Sequence, residues 1–454
     1  MIKTIKSAWK NEELRKRILF TIFILIIFRF GNVIPVPFIN KAALAQYFQT
    51  MNNTAFGMLN VMSGGAFSMA TIFALSVQPY INASIIIQLL CVAIPSLERI
   101  AKEEGEMGRK KIENITRWTA VGIGFLQALG YYFMISRYGL LAESAVGVWW
   151  KAAIIIVTFA AGSVAIMFMG KLIDDKGIGN GISLILFIGI ISRLPNDIIT
   201  TIHNVKSGSL KWWAAVAVYI GVLVITAIVV FMNDAERRIP VQYAKRVVGR
   251  KIYNGQNTYL PMKVSMSGVM PIIFAQTITM LPATIAAFIG KTDSYWAKTD
   301  TWFYIVCYAV MLFFFAFFYA TIQFNCVEVA NNLKNNGGTI PGHRPGKPTI
   351  ELLRKVLLRV TFIGAAYLAI IVLIPMIAMK FTSAIALTGL SLGGTSVIIA
   401  VGVALQTIQD LETKLITRQY SGLFAETPKD SDNKKQSTKP FSLKRKQKIV
   451  VIEN

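Results

Sequence analysis

Long apolar runs separated by short polar segments dominate the chain from residue 18 to residue 408. A bilayer core of about 30 Å is crossed by about 20 apolar residues in helical form, since every backbone amide must be bonded within the segment. Ten runs meet or approach that length, which predicts an all-α polytopic membrane protein of about ten transmembrane helices. The strong spans are 18–37, 115–136, 152–170, 212–232, 264–289, 301–324 and 360–379, and the weaker ones are 71–94, 181–200 and 385–408.

Each of the three weaker spans contains a feature that disfavours a continuous helix. Pro79 interrupts 71–94, because proline lacks an amide proton and clashes with the preceding turn. The span 181–200 is apolar only as far as Arg193, which predicts a short helix or a hydrated outer end. Glycines loosen the first turns of 385–408.

The basic residues determine the orientation. The chain has 47 Lys and Arg against 23 Asp and Glu, a formal net charge of +24. With ten spans both termini lie on one side of the membrane, and that side collects 37 basic residues against nine on the other. By the positive-inside rule that side, with both termini, is predicted to be cytoplasmic. Its segments are 1–17, 95–117, 171–180, 233–263, 325–359 and the residues from 410 onward.

The composition excludes several other classes of protein. Hydrophobic residues make up 54% of the chain and charged residues 15%, whereas a soluble chain carries about 25% charged residues. The three cysteines lie in or next to apolar runs, which argues against a disulfide framework, and both histidines lie in loops. We therefore predict no metal site and no cofactor. The polar start of the chain is unlike a signal peptide, so we expect the first apolar run to be a retained span.

Carboxylates and histidines are missing from the apolar runs, apart from the polar outer end of 181–200. Ion-coupled transporters usually place such groups at the midplane of the membrane. A membrane hydrolase needs a general base or a metal ligand. The sequence therefore disfavours both classes, and it contains no P-loop motif for nucleotide hydrolysis. Arg29, inside the first span, is interpreted as a structural anchor, with a direct functional role as the alternative.

Two cytoplasmic segments, 233–263 and 325–359, are too long and too basic to be simple connectors. Glycine and proline turns in the second present Arg344 at a tip, which suits docking onto an acidic protein or RNA surface. The alternative is that these arginines face anionic lipid headgroups. The basic tail 421–454 is predicted to be disordered, and its cluster at 444–446 to lie on anionic lipid rather than on a specific partner.

Seven sequence strings, in order along the chain, carry a family resemblance. From Ala8 to Leu423 the chain resembles the SecY/Sec61-alpha family, whose bacterial members are the channel-forming subunit of the Sec protein translocase. The strings are RFGNVIPVP at 29–37, SGGAFSMATIFALSVQPYINASIIIQLL at 63–90, GIGNGISLILFIGI at 177–190, ERRIPVQYAKR at 236–246, MPIIFAQTITMLPATIA at 270–286, NNGGTIPGHRPGKPT at 335–349 and LGGTSVIIAVGVAL at 392–405.

The resemblance implies two pseudosymmetric five-helix halves around a central pore in the bacterial cytoplasmic membrane. The halves would be 1–200 and 201–420, hinged on the outer side between the fifth and sixth spans. Such a channel passes unfolded secretory polypeptides and releases membrane-protein helices sideways into lipid. The implied partners are SecE and SecG, the motor ATPase SecA, the ribosome, substrates with signal sequences, and anionic lipids.

The resemblance further implies a constriction formed by a ring of apolar side chains. A narrow apolar collar sheds water and blocks ions, yet yields around any passing residue. Without the resemblance, apolar residues at helical spacing would be interpreted as packing or lipid contact. The ring would consist of Val77 and Ile81 on the second span, Ile182 and Leu186 on the fifth, Ile273 on the seventh and Ile399 on the tenth.

A plug, a lateral gate and docking arginines complete the implied machinery. The plug is 57–69, for which a re-entrant turn is the alternative, and its marker residues are Asn60, Ser63, Gly64, Gly65 and Phe67. The gate lies between spans two and three on one side and seven and eight on the other. Its polar side chains, for which a purely structural role is the alternative, are Asn82, Gln88, Gln127, Gln276 and Thr277. SecA or the ribosome would contact Arg237, Arg238 and Arg344.

Three functions are therefore compared. The first is a passive protein-conducting channel, driven by SecA or the ribosome. The second is a secondary transporter, suggested by helices broken at proline or glycine, but such a transporter needs a polar site at the midplane and no docking loops. The third is a membrane enzyme, for which no nucleophile and base are apparent. The pattern favours the channel.

Overall fold

The structure is a computed structural model that describes residues 2–50, 55–103, 105–142, 147–243, 246–248, 251–253, 257–264, 268–288, 301–381 and 394–425. Helices account for most of this part of the chain, as the apolar pattern predicts. The helices in order are α1 (Ile2–Lys10), α2 (Glu12–Gly31), α3 (Lys41–Thr50), α4 (Ala55–Met62), α5 (Gln78–Ala93), α6 (Pro95–Glu103), α7 (Gly105–Arg137), α8 (Val148–Lys176), α9 (Gly181–Ile191), α10 (Leu194–Lys206), α11 (Trp212–Asp234), α12 (Met270–Phe288), α13 (Trp302–Gln323), α14 (Cys326–Asn335), α15 (Lys347–Phe381) and α16 (Gly394–Ala425).

Each of the ten predicted spans overlaps one of these helices. Within the described residues, six helical segments are long and apolar enough to cross a membrane, and the apolar helices Gln78–Ala93 and Met270–Ala286 are shorter. The protein is therefore a multi-pass helical membrane protein. The six segments are Gly105–Arg137, Val148–Lys176, Gly181–Lys206, Trp212–Asp234, Trp302–Asn335 and Lys347–Ala378.

The second span differs from a single helix over 71–94. Its helix, α5, begins at Gln78 with Pro79 in the first turn, where the missing amide proton costs nothing. The residues before it form successive turns, and Ala70 and Ser76 adopt positive φ values of 44° and 48°. The proline thus marks where the helix starts and not where it is interrupted.

The fifth span is divided into two helices. After Ile191 the chain turns at Ser192 and Arg193, and Pro195 lies in the first turn of α10. Asp197, which lies within the span drawn over 181–200, is on α10 and only 2% exposed. The apolar helix α9 is therefore only 11 residues long, as the polar outer end of this span suggests.

The two long basic segments, 233–263 and 325–359, are joined by a β-sheet that the helical pattern does not predict. Strands β1 (Glu236–Tyr243) and β4 (Asn257–Lys263) pair antiparallel, and β5 (Gly338–Thr339) pairs with the other edge of β1. A separate hairpin consists of β2 (Arg246–Val248) and β3 (Lys251–Tyr253). Ile239 and Val241 of β1 are buried against residues of α13, α14 and α15, so this sheet packs on these helices.

The C-terminal boundary also differs from the prediction. Helix α16 continues to Ala425, so the tail predicted to begin at 421 starts inside a helix. The basic cluster at 444–446 lies outside the described residues.

Candidate pore, plug and lateral gate

The six residues assigned to the ring belong to, or pack against, one large apolar cluster of buried side chains. Five of them are at most 7% exposed, and Ile182 is half-buried and packs against the cluster. They come from four helices and from the turn immediately before α5. The ring residues in this cluster are Val77, Ile81, Ile182, Leu186, Ile273 and Ile399.

Local helix geometry orients these side chains. The carbonyl of Val77 accepts a hydrogen bond of 3.0 Å from the amide of Ile81, which puts the two residues on one face of α5. Ile182 and Leu186 have the same spacing on α9. Helices α8 and α9 approach closely, since a Cβ added to Gly181 would lie 2.0 Å from the carbonyl oxygen of Gly170. Glycine at 181 therefore allows Ile182 to lie against α8.

The segment assigned to the plug is a short helix followed by tight turns. Helix α4 ends at Met62, and Gly64 and Gly65 adopt positive φ values of 69° and 90° that favour glycine. The carboxamide oxygen of Asn60 accepts the amide proton of Ser68 at 2.9 Å. The Ser63 hydroxyl donates to the carbonyl of Asn60 and accepts the amide proton of Phe67, both at 3.1 Å. These bonds fold the segment back onto itself.

The plug packs tightly on one side against α9. A Cβ added to Gly64 would lie 2.8 Å from the carbonyl oxygen of Gly189, and one added to Gly189 would lie 2.8 Å from that of Met62. On the other side, the ring of Phe67 stacks on Tyr131 with centroids 4.4 Å apart. The Tyr131 hydroxyl donates to the Phe67 carbonyl at 2.5 Å. The plug is thus held by contacts with α7 and α9.

Met62 at the end of the plug helix contacts both sides of the assigned gate. Its sulfur accepts a hydrogen bond from the side-chain amide of Gln78 on α5 at 3.0 Å, and from that of Gln276 on α12 at 3.7 Å. Thioether sulfur is a weak acceptor, so each bond is individually weak. Because α5 and α12 lie on opposite sides of the assigned gate, displacement of the plug would remove both bonds together.

A small cavity of about 60 Å³ lies between the plug and the gate helices. Four of the five polar side chains assigned to the gate line it, and Gln78 adds a further carboxamide. The remaining walls are apolar and include Leu59, Met62 and Tyr131. The four assigned residues at the cavity are Asn82, Gln127, Gln276 and Thr277.

Gln88 does not reach this cavity. Its carboxamide oxygen accepts a hydrogen bond from the Tyr319 hydroxyl on α13, and its nitrogen donates to the Ser84 hydroxyl at 3.2 Å. This bond joins α5 to α13 across the assigned gate. Sequence reasoning missed Gln78, Met62 and Tyr319, although a glutamine and a tyrosine within apolar spans are visible signals of interhelical bonding.

The arginines assigned to docking lie on the sheet and beside it. Arg238 is exposed, and its Nε donates to Glu236 at 2.8 Å. Arg237 is partly buried on the same strand. Arg344 is exposed after the turn at 341–342 that follows β5, and its carbonyl accepts a hydrogen bond from the Thr349 hydroxyl at 2.8 Å. Pairing of β1 with β5 joins segments 233–263 and 325–359, so that the three arginines lie on one connected part of the protein.

Tyr131→Phe is expected to loosen the plug moderately, because it removes the hydrogen bond to Phe67 but keeps the ring stacking. A hydrogen bond of this kind contributes about 1 kcal/mol, so the ratio of displaced to seated plug should rise about five-fold. Accessibility of a cysteine placed at Ser68 to a thiol reagent measures this ratio. Tyr132→Phe on the same helix is the control, and equal labelling of both variants would contradict the assignment.

Known proteins resemble this chain over most of its length. The SecY family model matches residues 71–408. The SecY translocase subunit of Corynebacterium glutamicum is 38% identical over 93% of this chain and 100% of its own length. That of Rickettsia typhi is 42% identical over 92% and 97%, and that of Aquifex aeolicus is 38% identical over 92% and 99%.

Solved structures share the fold at much lower identity. A structure described as a protein-conducting channel has a TM-score of 0.64 at 15% identity, covering 90% of this chain and 94% of its own. Canine Sec61 in a ribosome–channel complex from the endoplasmic reticulum has a TM-score of 0.61 at 14% identity, with the same coverage. The fold is therefore that of the multi-pass helical channels to which these structures belong. Within that class, the chain belongs to the SecY family.

Proposed function

We propose that this protein is a passive protein-conducting channel that moves unfolded secretory polypeptides across the membrane and releases membrane-protein helices into lipid. The proposal rests on one observation above all: the six ring residues, from both halves of the chain, belong to or pack against a single apolar cluster that also contains Met62 of the plug segment. The two five-helix halves are 1–200 and 201–420 in this proposal. The chain performs no chemistry of its own, and it uses no cofactor.

The physical chemistry of the collar supports this function. Apolar branched side chains offer an ion nothing to replace its hydration shell, so a collar of this kind resists ion flow. They also make no directional bonds, so any side chain of an unfolded polypeptide can pass between them. Val77 and Leu186 keep the apolar, branched character that such a ring requires.

The gate side chains support lateral release. Hydrogen bonds between facing membrane helices contribute about 0.6–2 kcal/mol each, which favours the closed gate but can be overcome by an inserting apolar helix. The bond between Gln88 on α5 and Tyr319 on α13 is a contact of this kind. In the proposal, a signal sequence enters by separating α5 and α7 from α12 and α13.

The partners and the location follow from the charge distribution. The basic side of the membrane would be cytoplasmic, with both termini there, and the membrane would be the bacterial inner membrane. The surface carrying Arg237, Arg238 and Arg344 would bind the ribosome or the motor ATPase SecA, whose acidic or phosphate groups suit guanidinium donors. The small subunits SecE and SecG would complete the channel, and anionic lipids would contact the basic loops and tail.

Ion conductance across planar bilayers tests the channel assignment. The purified chain should conduct almost no ions. Deletion of 60–70 should give large fluctuating currents, because the apolar collar is then the only remaining barrier to ions. A chain lacking 427–449 is the control, since this segment is not part of the assigned pore and its removal should leave the bilayer silent. Equal silence of the plug deletion and the control would contradict the plug and favour a transporter.

A further inference from the structure

The turn between α8 and α9 is held by side chains from three different helices. The amide of Ile178 donates to the Thr21 hydroxyl on α2 at 3.1 Å. The amide of Gly179 donates to Asp410 Oδ2 on α16 at 3.0 Å. The amide of Gly181 donates to Asp174 Oδ1 on α8 at 2.7 Å. The Gly181 amide is one that the start of α9 would otherwise leave without a partner, and the other two amides lie in the turn before the helix.

The conformation of the turn leaves little room for change. Gly179 has a φ of +78°, and a Cβ added there would lie 3.1 Å from the Thr407 hydroxyl oxygen on α16. Asn180 caps α9, since its side-chain oxygen accepts the amide proton of Ser183 at 3.1 Å. The turn therefore packs closely against α16 at Thr407, which lies about one helical turn before Asp410 and Leu411.

An apolar cluster lies beside these hydrogen bonds. Ala8 of α1, Leu14 of α2, Ile178 of the turn and Leu411 of α16 are all at most 7% exposed and pack together. The cluster joins the cytoplasmic ends of elements from both proposed halves of the chain. Together, the three bonded amides and this cluster are called the cytoplasmic clasp.

The cytoplasmic clasp is directly connected to two helices of the ring. Ile182 follows Gly181 at the start of α9, so the position of the turn sets the height and rotation of Ile182 and Leu186. Ile399 lies on α16, on the same helix as Asp410 and about three turns before it. A bond between Asp410 and Gly179 therefore fixes α9 relative to α16.

We propose that Asp410 is a positioning residue of the pore: by accepting the Gly179 amide proton, it holds the α9 and α16 parts of the ring in register. This inference rests on the proposed channel function. Asp410 does not touch the translocating chain in this proposal, and its effect on the pore passes through the turn 177–181.

Asp410 interacts with both Lys414 and the Gly179 amide, and the two interactions can be tested separately. Its Nζ forms an ion pair of 2.9 Å with Asp410 Oδ2 one helical turn away, where both side chains are about one-third exposed. A surface pair of this kind contributes little, so its removal should hardly affect the turn. Lys414→Gln thus removes the ion pair alone, whereas Asp410→Leu removes both the ion pair and the bond to Gly179.

The experiment compares Asp410→Leu, Asp410→Asn and Lys414→Gln in the full chain, by ion conductance in planar bilayers and by export of a preprotein with a defective signal sequence. Asp410→Leu leaves the Gly179 amide without an acceptor, and we expect conductance and export to rise about ten-fold. Asp410→Asn keeps the shape of the side chain and an acceptor oxygen, so this variant should retain most of the wild-type behaviour. Lys414→Gln should match the wild type.

Other outcomes would overturn the inference. Equal leakage of Asp410→Leu and Asp410→Asn would show that the charge matters and not the bond to the turn. If Asp410→Leu stays tight although Ile399→Asn leaks, the clasp does not position the ring, while the channel assignment remains supported. If neither Asp410→Leu nor Ile399→Asn conducts ions, the proposed channel function itself fails.

A second variant keeps the inference testable if Asp410→Leu does not accumulate in the membrane. Thr21→Val preserves the shape of the side chain and removes the hydroxyl on α2 that accepts the Ile178 amide proton and donates to the Arg17 carbonyl. It should raise conductance and export several-fold in the same assays. A stable Thr21→Val chain with wild-type conductance would overturn the positioning role of the clasp.

Discussion

Ile399→Asn is expected to make the closed channel permeable to ions and to relax its selection of signal sequences. Ile399 is 2% exposed in the central apolar cluster, where a carboxamide would hold water in the narrowest part of the pore. A carboxamide that finds no partner there also costs about 1–3 kcal/mol, which favours the open, hydrated state about 5- to 160-fold. Single-channel conductance and export of a preprotein with a defective signal sequence measure the two effects.

Ile370→Asn is the matched control for this substitution. Ile370 lies on α15 and is 57% exposed, in a shallow apolar groove with Ile228 and Tyr367 that faces outward. The same polar group would there contact lipid and not the pore, so conductance should stay at the wild-type level. A silent Ile399→Asn channel with normal selection of signal sequences would contradict the ring.

The helices are predictable from the sequence because the bilayer imposes a simple rule on them. A run of about 20 apolar residues must be helical, and each of the ten runs overlaps a helix. The ends are less predictable, since caps and prolines determine them. Thus α5 begins at Gln78, just before Pro79, and α9 ends at Ile191, just before the polar Ser192 and Arg193.

The sheet formed by β1, β4 and β5 was not predicted from the sequence, for a different reason. Ile239 and Val241 alternate with exposed residues along β1, which is the pattern of a strand with one buried face. The segment is short and basic, however, and its partner β5 lies about 100 residues further along the chain. Hydropathy alone cannot reveal a pairing between such distant segments.

The assigned site also has features that the sequence predicts and features that it does not. The ring residues are ordinary apolar residues at helical spacing, so only the family resemblance distinguishes them from packing residues. The gate polar residues are visible as polar groups in apolar spans, but their partners depend on helix rotation. Asn82 and Gln276 line one cavity, whereas Gln88 bonds to Tyr319 on a different helix pair.

Tyr319→Phe and Gln88→Leu are each expected to make the lateral gate easier to open. The hydroxyl of Tyr319 and the carboxamide of Gln88 join α13 to α5, and either substitution removes that bond. Interhelical hydrogen bonds in membranes contribute about 0.6–2 kcal/mol, so the open fraction of the gate should rise about 3- to 30-fold. Export of a preprotein with a weakened signal sequence, relative to the wild-type chain, measures the change.

Two comparisons make this prediction specific to the bond. The double variant should behave like either single variant, because the second substitution removes a partner whose bond is already lost. Tyr308→Phe, on the same helix, is the control: among the described residues, the buried Tyr308 hydroxyl has no hydrogen-bond partner, so its loss should not ease opening. If Tyr308→Phe relaxed selection as much as Tyr319→Phe, general loosening of α13 would explain both results. Additive effects of the two gate substitutions would likewise show that Gln88 and Tyr319 act on the gate independently.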